Sequence, residues 1–377
     1  GTRTFSVLLT AHQQIHIDNL IQLALLVVRT VLIILLLAAG WKLYALSVAG
    51  LFVIVLGALL AFVRCRATLP CLVIRFDLFS WDTLRSDIRT HALWFSIVNL
   101  AAVVVYNMDR AVAARVISLE SVTTWTLTGQ AYSLASILMM QMTITALPGL
   151  GQLIGKGDTE TAFATYLRLI VLCTGVSIVA ALSLWAGNGA FVAWWVGAKL
   201  YGGTWLDAAL ALNLVVAAWT LSSRTMLTAM IMARPLALSR TVEATINLGL
   251  SILLAQRVGL VGIAIGTATA GLLTSCWYMP RLVLGHFRRS FSELLKHVLA
   301  PLTLLALILL PAAWWMRFLT EGMGIGGALL AMCAVSMLGF VLLWSFVFDA
   351  NMRAQSINIV AQTYRALRKR FFTVEES

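Results

Sequence analysis

The sequence predicts an all-α, polytopic membrane protein, and two observations carry the prediction. About ten hydrophobic stretches have the ~20-residue length that a helix needs to cross a ~30 Å hydrocarbon layer. Composition agrees: 61% of residues are hydrophobic, 11% are charged and the mean hydropathy is +0.93, where soluble domains are about a quarter charged. Backbone groups in hydrocarbon need internal partners, and spans of this length supply them as helices. The short alternating segments of an outer-membrane barrel are missing. A soluble multidomain protein is excluded on the same grounds.

In chain order the expected spans are 20–39, 43–63, 91–114, 123–147, 166–185, 207–232, 238–255, 259–279, 295–315 and 325–347. Short connections make neighbours antiparallel hairpins. Domain organisation follows: 1–63 as the end of one helical bundle, 64–90 as an amphipathic linker around Phe76-Asp77-Leu78-Phe79-Ser80-Trp81, 91–348 as a second bundle with an additional terminal helix pair, and 349–377 as a basic tail. The net charge of +12 arises from Lys and Arg in alternate loops, where they act as topology signals, so no nucleic-acid partner is implied. The richer set includes Arg64, Arg66, Arg85, Arg89, Lys156, Arg234, Arg281, Arg288, Arg289 and Arg368, which places the tail on the cytoplasmic side. Cys65, Cys71, Cys173, Cys276 and Cys333 lack metal-ligand spacing and read as packing residues.

Charge inside the spans is rare and mostly arginine. Arg29 sits near the middle of the first span, too deep for easy snorkelling; it needs an ion-pair partner or a wet cavity, where its planar fork suits phosphate. Asp109 and Arg110 close the third span. Adjacent helical residues diverge by roughly 100°, so one serves packing and the other a cavity. The fourth span carries Gln130, Ser133 and Gln141, amides that either glue helices or bond sugar hydroxyls. Trp194, Trp195 and Tyr201 form an interfacial anchor, or otherwise a sugar-stacking platform. In the sixth span Arg224 and Asn213 share a face.

The seventh span has the clearest stripe, with Arg240, Glu243, Asn247 and Ser251 on one side of an apolar helix. Arg240 and Glu243 make an ordinary helix salt bridge, or else Glu243 takes up a proton. Gly262 and Gly266 give the GxxxG spacing of close helix packing. No catalytic triad, HExxH, phosphate-cradling loop or paired-carboxylate motif occurs, so no enzyme and no cofactor is expected.

Several segments in order resemble one family: Asp109-Arg110 followed by Ala131-Tyr132, then Ala146-Leu147-Pro148-Gly149-Leu150, Gly157-Asp158-Thr159-Glu160, Trp195-Val196-Gly197 with Tyr201, and Glu243 to Asn247 followed by Gly259-Leu260-Val261-Gly262-Ile263-Ala264. From about Leu9 to Phe287 the chain resembles polysaccharide exporters, the O-antigen or lipid-linked oligosaccharide flippases of the multidrug/oligosaccharidyl-lipid/polysaccharide superfamily. The resemblance implies that an undecaprenyl-pyrophosphate-linked oligosaccharide is flipped across the bacterial inner membrane by alternating access. A polysaccharide polymerase and chain-length machinery are its implied partners beside the lipid bilayer.

The resemblance also implies that the first two spans end an N-terminal six-helix bundle, with about four helices ahead of Gly1. Arg29, Arg110 and Arg224 are then the expected anion contacts, with Gln130, Gln141 and Asn247 as polar contacts to the substrate. Asp109 and Glu243 are expected in ion coupling or structural pairing. A drug exporter of the same superfamily, which would favour acidic cavities, is the alternative transporter. A membrane glycosyltransferase or polymer ligase is the enzyme alternative, and would need an outer catalytic loop.

Overall fold

The computed structural model describes residues 15–42, 44–68, 80–82, 92–348 and 353. Every regular element among the described residues is helical, and nine helices are long and apolar enough to cross a membrane. The molecule is an all-α, multi-pass membrane protein. It divides into two units, residues 1–85 and 86–377.

The first unit is a helical hairpin, α1 (Ile15–Ala38) and α2 (Tyr44–Thr68). Small residues let the two backbones approach: Ala45, Ala49 and Ala61 are buried together with Leu25. The remaining surface is almost wholly leucine, isoleucine and valine exposed to the surroundings, as a lipid-facing hairpin requires. α2 runs past the expected linker boundary, carrying Arg64 and Arg66 within its last turns. Beyond Thr68, and apart from Ser80, Trp81 and Asp82, which are exposed, the expected amphipathic segment lies outside the described residues, as does nearly all of the basic tail and Cys71.

The second unit contains α3 (Leu93–Val112, continued by a wide turn Ala113–Ile117), α4 (Leu119–Gly155), α5 (Thr159–Val196), α6 (Thr204–Ala229), α7 (Ala233–Val258), α8 (Leu260–Leu273), α9 (Ser275–His286), α10 (Phe291–Leu319) and α11 (Gly324–Leu342, continued to Val347). Several are longer than hydropathy predicts. α4 continues through Pro148, and α5 starts at an Asp158 cap whose carboxylate accepts from the Thr161 N–H. Gly157, at φ +73, makes the preceding turn. The connection expected over 185–205 shrinks to 197–203 because α5 extends to Val196.

α5 is the central helix, packed against α4, α6, α10 and α11. α8 and α9 form one span broken at Thr274. α7 is the expected seventh span, yet it is not among the nine apolar helices: its 26 residues include Arg234, Arg240, Glu243 and Arg257. Tertiary packing compensates, since α7 lies between α3 and α8 and buries its polar stripe against them.

The GxxxG spacing does what it predicts. A Cβ on Gly262 would lie 2.3 Å from the Leu254 carbonyl oxygen, and one on Gly266 would lie 2.9 Å from the Ser251 nitrogen, so α7 and α8 touch backbone to backbone. Gly262→Ala must therefore push α8 off α7, and about 1–3 kcal/mol of stability should be lost. Thermal unfolding of the purified protein measures this; an unchanged midpoint would show that the contact yields.

Candidate functional site

Three helices converge on the lower half of the α7 stripe. Arg240, Glu243, Asn247 and Ser251 are all buried, with exposures of 5, 8, 2 and 0%. α8 lays Ile263 and Thr267 alongside Asn247 and Ser251, and α3 brings Asp109 to the same place. The Thr267 hydroxyl is 3.1 Å from Asp109 Oδ1, 3.0 Å from Asn247 Oδ1 and 3.2 Å from the Ile263 carbonyl oxygen. Ser251 Oγ donates to Asn247 Oδ1 at 2.9 Å and lies 3.5 Å from the Ile263 carbonyl.

Two hydroxyls offer one proton each and the Asn247 amide carries two N–H donors, beside a carboxylate, the amide oxygen and the Ile263 carbonyl, which also accepts within its own helix. Several oxygens turned towards one another, one of them a carboxylate, suit a hard cation or an added proton. With a single carboxylate, the set matches one positive charge better than two. Among the described residues no group of three or more His, Cys, Asp and Glu could hold a metal ion by itself.

Arg240 and Glu243 pair as expected from their spacing, with one guanidinium nitrogen 2.8 Å from each carboxylate oxygen. The pair is deeper than an ordinary surface bridge, because Ser275, the first residue of α9, also donates to Glu243. Glu243 is thus tied to the α8–α9 break, apart from the oxygen cluster further along the same face.

The remaining expected residues fall in several places. Asp109 turns inward and Arg110 outward, the divergence that adjacency on a helix requires. Gln130 and Gln141 are exposed on α4 and do not glue helices within this unit; the burying face of α4 is the one bearing Trp125, Tyr132 and Met139. Arg224 is half-buried on α6, and Asn213 donates to the Ala264 carbonyl at 2.9 Å. Arg29 lies in the first unit, exposed on α1. Consecutive helices α3 and α4 part company after the Ala113–Ile117 turn: α3 follows α7, whereas α4 follows α5 and α6.

A second buried polar centre escaped the sequence reading. Asp207, fully buried near the start of α6, accepts from Tyr132 at 2.8 Å, Asn188 at 2.7 Å and Tyr201 at 3.0 Å. Arg317 of α10 lies 3.7 Å from the carboxylate, donates to the Trp185 carbonyl at 2.6 Å and to Thr204 at 3.0 Å, and stands over the Trp185 ring. Tyr201 is therefore a half-buried structural donor rather than a purely surface anchor; partial burial pushes its phenol up to about 12, so it keeps its proton. Trp194 and Trp195 keep the anchor role's geometry, exposed and clustered with Phe191. Nothing in the sequence around Asp207 or Arg317 marks them, since each reads alone as a span boundary.

Fold and site together define a multi-pass, all-helical membrane protein with a charged oxygen cluster between helices. Compared with protein-family models, curated proteins and solved structures, the chain finds no match.

Proposed function

We propose that this chain flips an undecaprenyl-pyrophosphate-linked oligosaccharide across the bacterial inner membrane, coupled to a cation held at the Asp109 cluster. The observation that carries the reading is the pair of neighbours on α3: Asp109 faces an oxygen cage, and Arg110 is exposed beside it. Charges at membrane depth are costly and mark substrate and ion paths. An unoccupied Asp109 carboxylate attracts the adjacent guanidinium. A bound cation or proton neutralises that carboxylate, leaving Arg110 available to pyrophosphate, which matches its planar donors. Ion and substrate occupancy are thereby linked through two adjacent residues of one helix. Gln130 and Gln141, exposed on α4, supply hydrogen-bond partners for sugar hydroxyls, and the lipid tail stays in the bilayer.

Complementation tests this. The complete reading frame is expressed in a flippase-deleted bacterium, and surface glycan is assayed together with lipid-linked repeat units left on the cytoplasmic side. Restored glycan without accumulated intermediate is expected. Arg110→Ala should abolish the restoration while membrane abundance stays normal. Failure of the wild-type chain despite stable insertion and a matching sugar background would overturn the assignment, and normal glycan with Arg110→Ala would remove that arginine from it.

A further inference from the structure

A cavity of about 530 Å³ lies among α5, α6, α9 and α10, walled almost entirely by carbon. Its floor is buried, with Ala181 1%, Leu302 3% and Val216 8% exposed, while its rim is open, with Leu212 47%, Trp277 58% and Leu307 70% exposed. It is therefore a groove facing outward from membrane-spanning helices. Along α5 the lining runs from Thr174 to Trp185, along α6 from Ala208 to Trp219 and along α10 from Leu299 to Leu310. Each track covers eleven residues' rise, about 16 Å. One leaflet of a ~30 Å hydrocarbon layer is about 15 Å deep.

The groove's ends fit that depth. The Trp185 and Ala208 end lies close to Trp205, exposed three residues before Ala208 on α6, and to Arg317, which caps the Trp185 ring and marks with Trp205 a headgroup level; Trp194 and Trp195 stand about 14 Å further along α5. The Thr174, Trp219 and Cys276 end lies beside the Thr274 break in the α8–α9 span. A slot that starts beside Trp205 and Arg317, runs about one leaflet deep and offers hydrocarbon walls fits a single linear chain entering from the headgroup side. Water does not satisfy such a surface, and an empty space of this size would forfeit packing along three helices.

We infer that this groove is a phospholipid site, in which one acyl chain of the surrounding bilayer packs α10 against α5 and α6. The site is separate from the oxygen cluster and does not depend on the transport assignment. The protein, purified in detergent, is weighed intact by native mass spectrometry, and its thermal midpoint is measured after delipidation with phospholipid added back. One retained phospholipid per chain is expected, with the midpoint raised by long-chain but not by short-chain phospholipid. Ala306→Phe and Ala208→Leu, two half-buried lining positions, should each lose the retained lipid and the response to add-back. Stabilisation that ignores chain length, unchanged retention in both filled variants, or a retained polyprenyl species in place of phospholipid would each overturn the inference.

Discussion

Asp207→Ala destabilises the second unit by about 3–5 kcal/mol, the loss that follows from stripping one partner out of a buried charged network. Its carboxylate is the common acceptor for donors from α4, α5 and the α5–α6 connection, and it faces the Arg317 guanidinium of α10. Removal takes an acceptor from buried Tyr132, from one N–H of buried Asn188, whose amide nitrogen keeps its bond to the Thr128 carbonyl, and from half-buried Tyr201, and it leaves a guanidinium without its counter-charge, a desolvation penalty rather than a lost attraction. Asp207→Asn keeps one carbonyl oxygen but turns an N–H towards donors, so it should fall between the wild type and Ala. Thermal unfolding in detergent, read with membrane abundance in cells, checks the order. A loss below about 1 kcal/mol for the alanine variant would mean that water replaces the carboxylate and that the network is not desolvated.

The other large effect is on activity. Asp109→Ala removes the sole carboxylate of the oxygen cluster, and transport should fall to background with abundance unchanged. Thr267→Val is the finer probe: it is close to isosteric and deletes the hydroxyl that lies within 3.2 Å of Asp109, Asn247 and the Ile263 carbonyl. Losing one such contact at about 1–2 kcal/mol weakens cation affinity by about tenfold. Titration of sodium, potassium and protons against the purified protein reads that shift directly. Wild-type affinity in both variants would locate the coupling ion elsewhere, whereas lost affinity with intact glycan would separate ion binding from transport.

How much of this was legible in the sequence depends on the range of the interaction. Helical class and the order of spans follow from local hydropathy, and the α7 stripe follows from periodicity within a single helix. Asp109 and Arg110 diverge because adjacency on a helix compels it. The sequence predicts a longer α5–α6 connection because Asn188 and the glycines near it read as a loop, whereas α5 holds them in helix. The Asp207 network joins residues 132, 188, 201, 207 and 317, and no local pattern announces a set whose members come from four helices and a turn. Ile263 is invisible in the sequence as a member of the cluster for a different reason: it contributes a backbone carbonyl, which no side-chain motif encodes. Gln130 and Gln141 were legible as polar residues in a span, but their exposure depends on which neighbours α4 selects.

The backbone contact between α7 and α8 has a consequence for the cation site proposed at Asp109. Gly266 presses on Ser251 and Gly262 on Leu254, so the gap between the Asn247–Ser251 side and the Ile263–Thr267 side is fixed by main chain, not by adjustable side-chain tips. A cage with such walls does not widen to take a larger ion without parting two helices. Discrimination by ionic radius would then reside in two glycines that touch no ion, and widening that gap by a methyl group is a route to changing the ion accepted without altering a ligand.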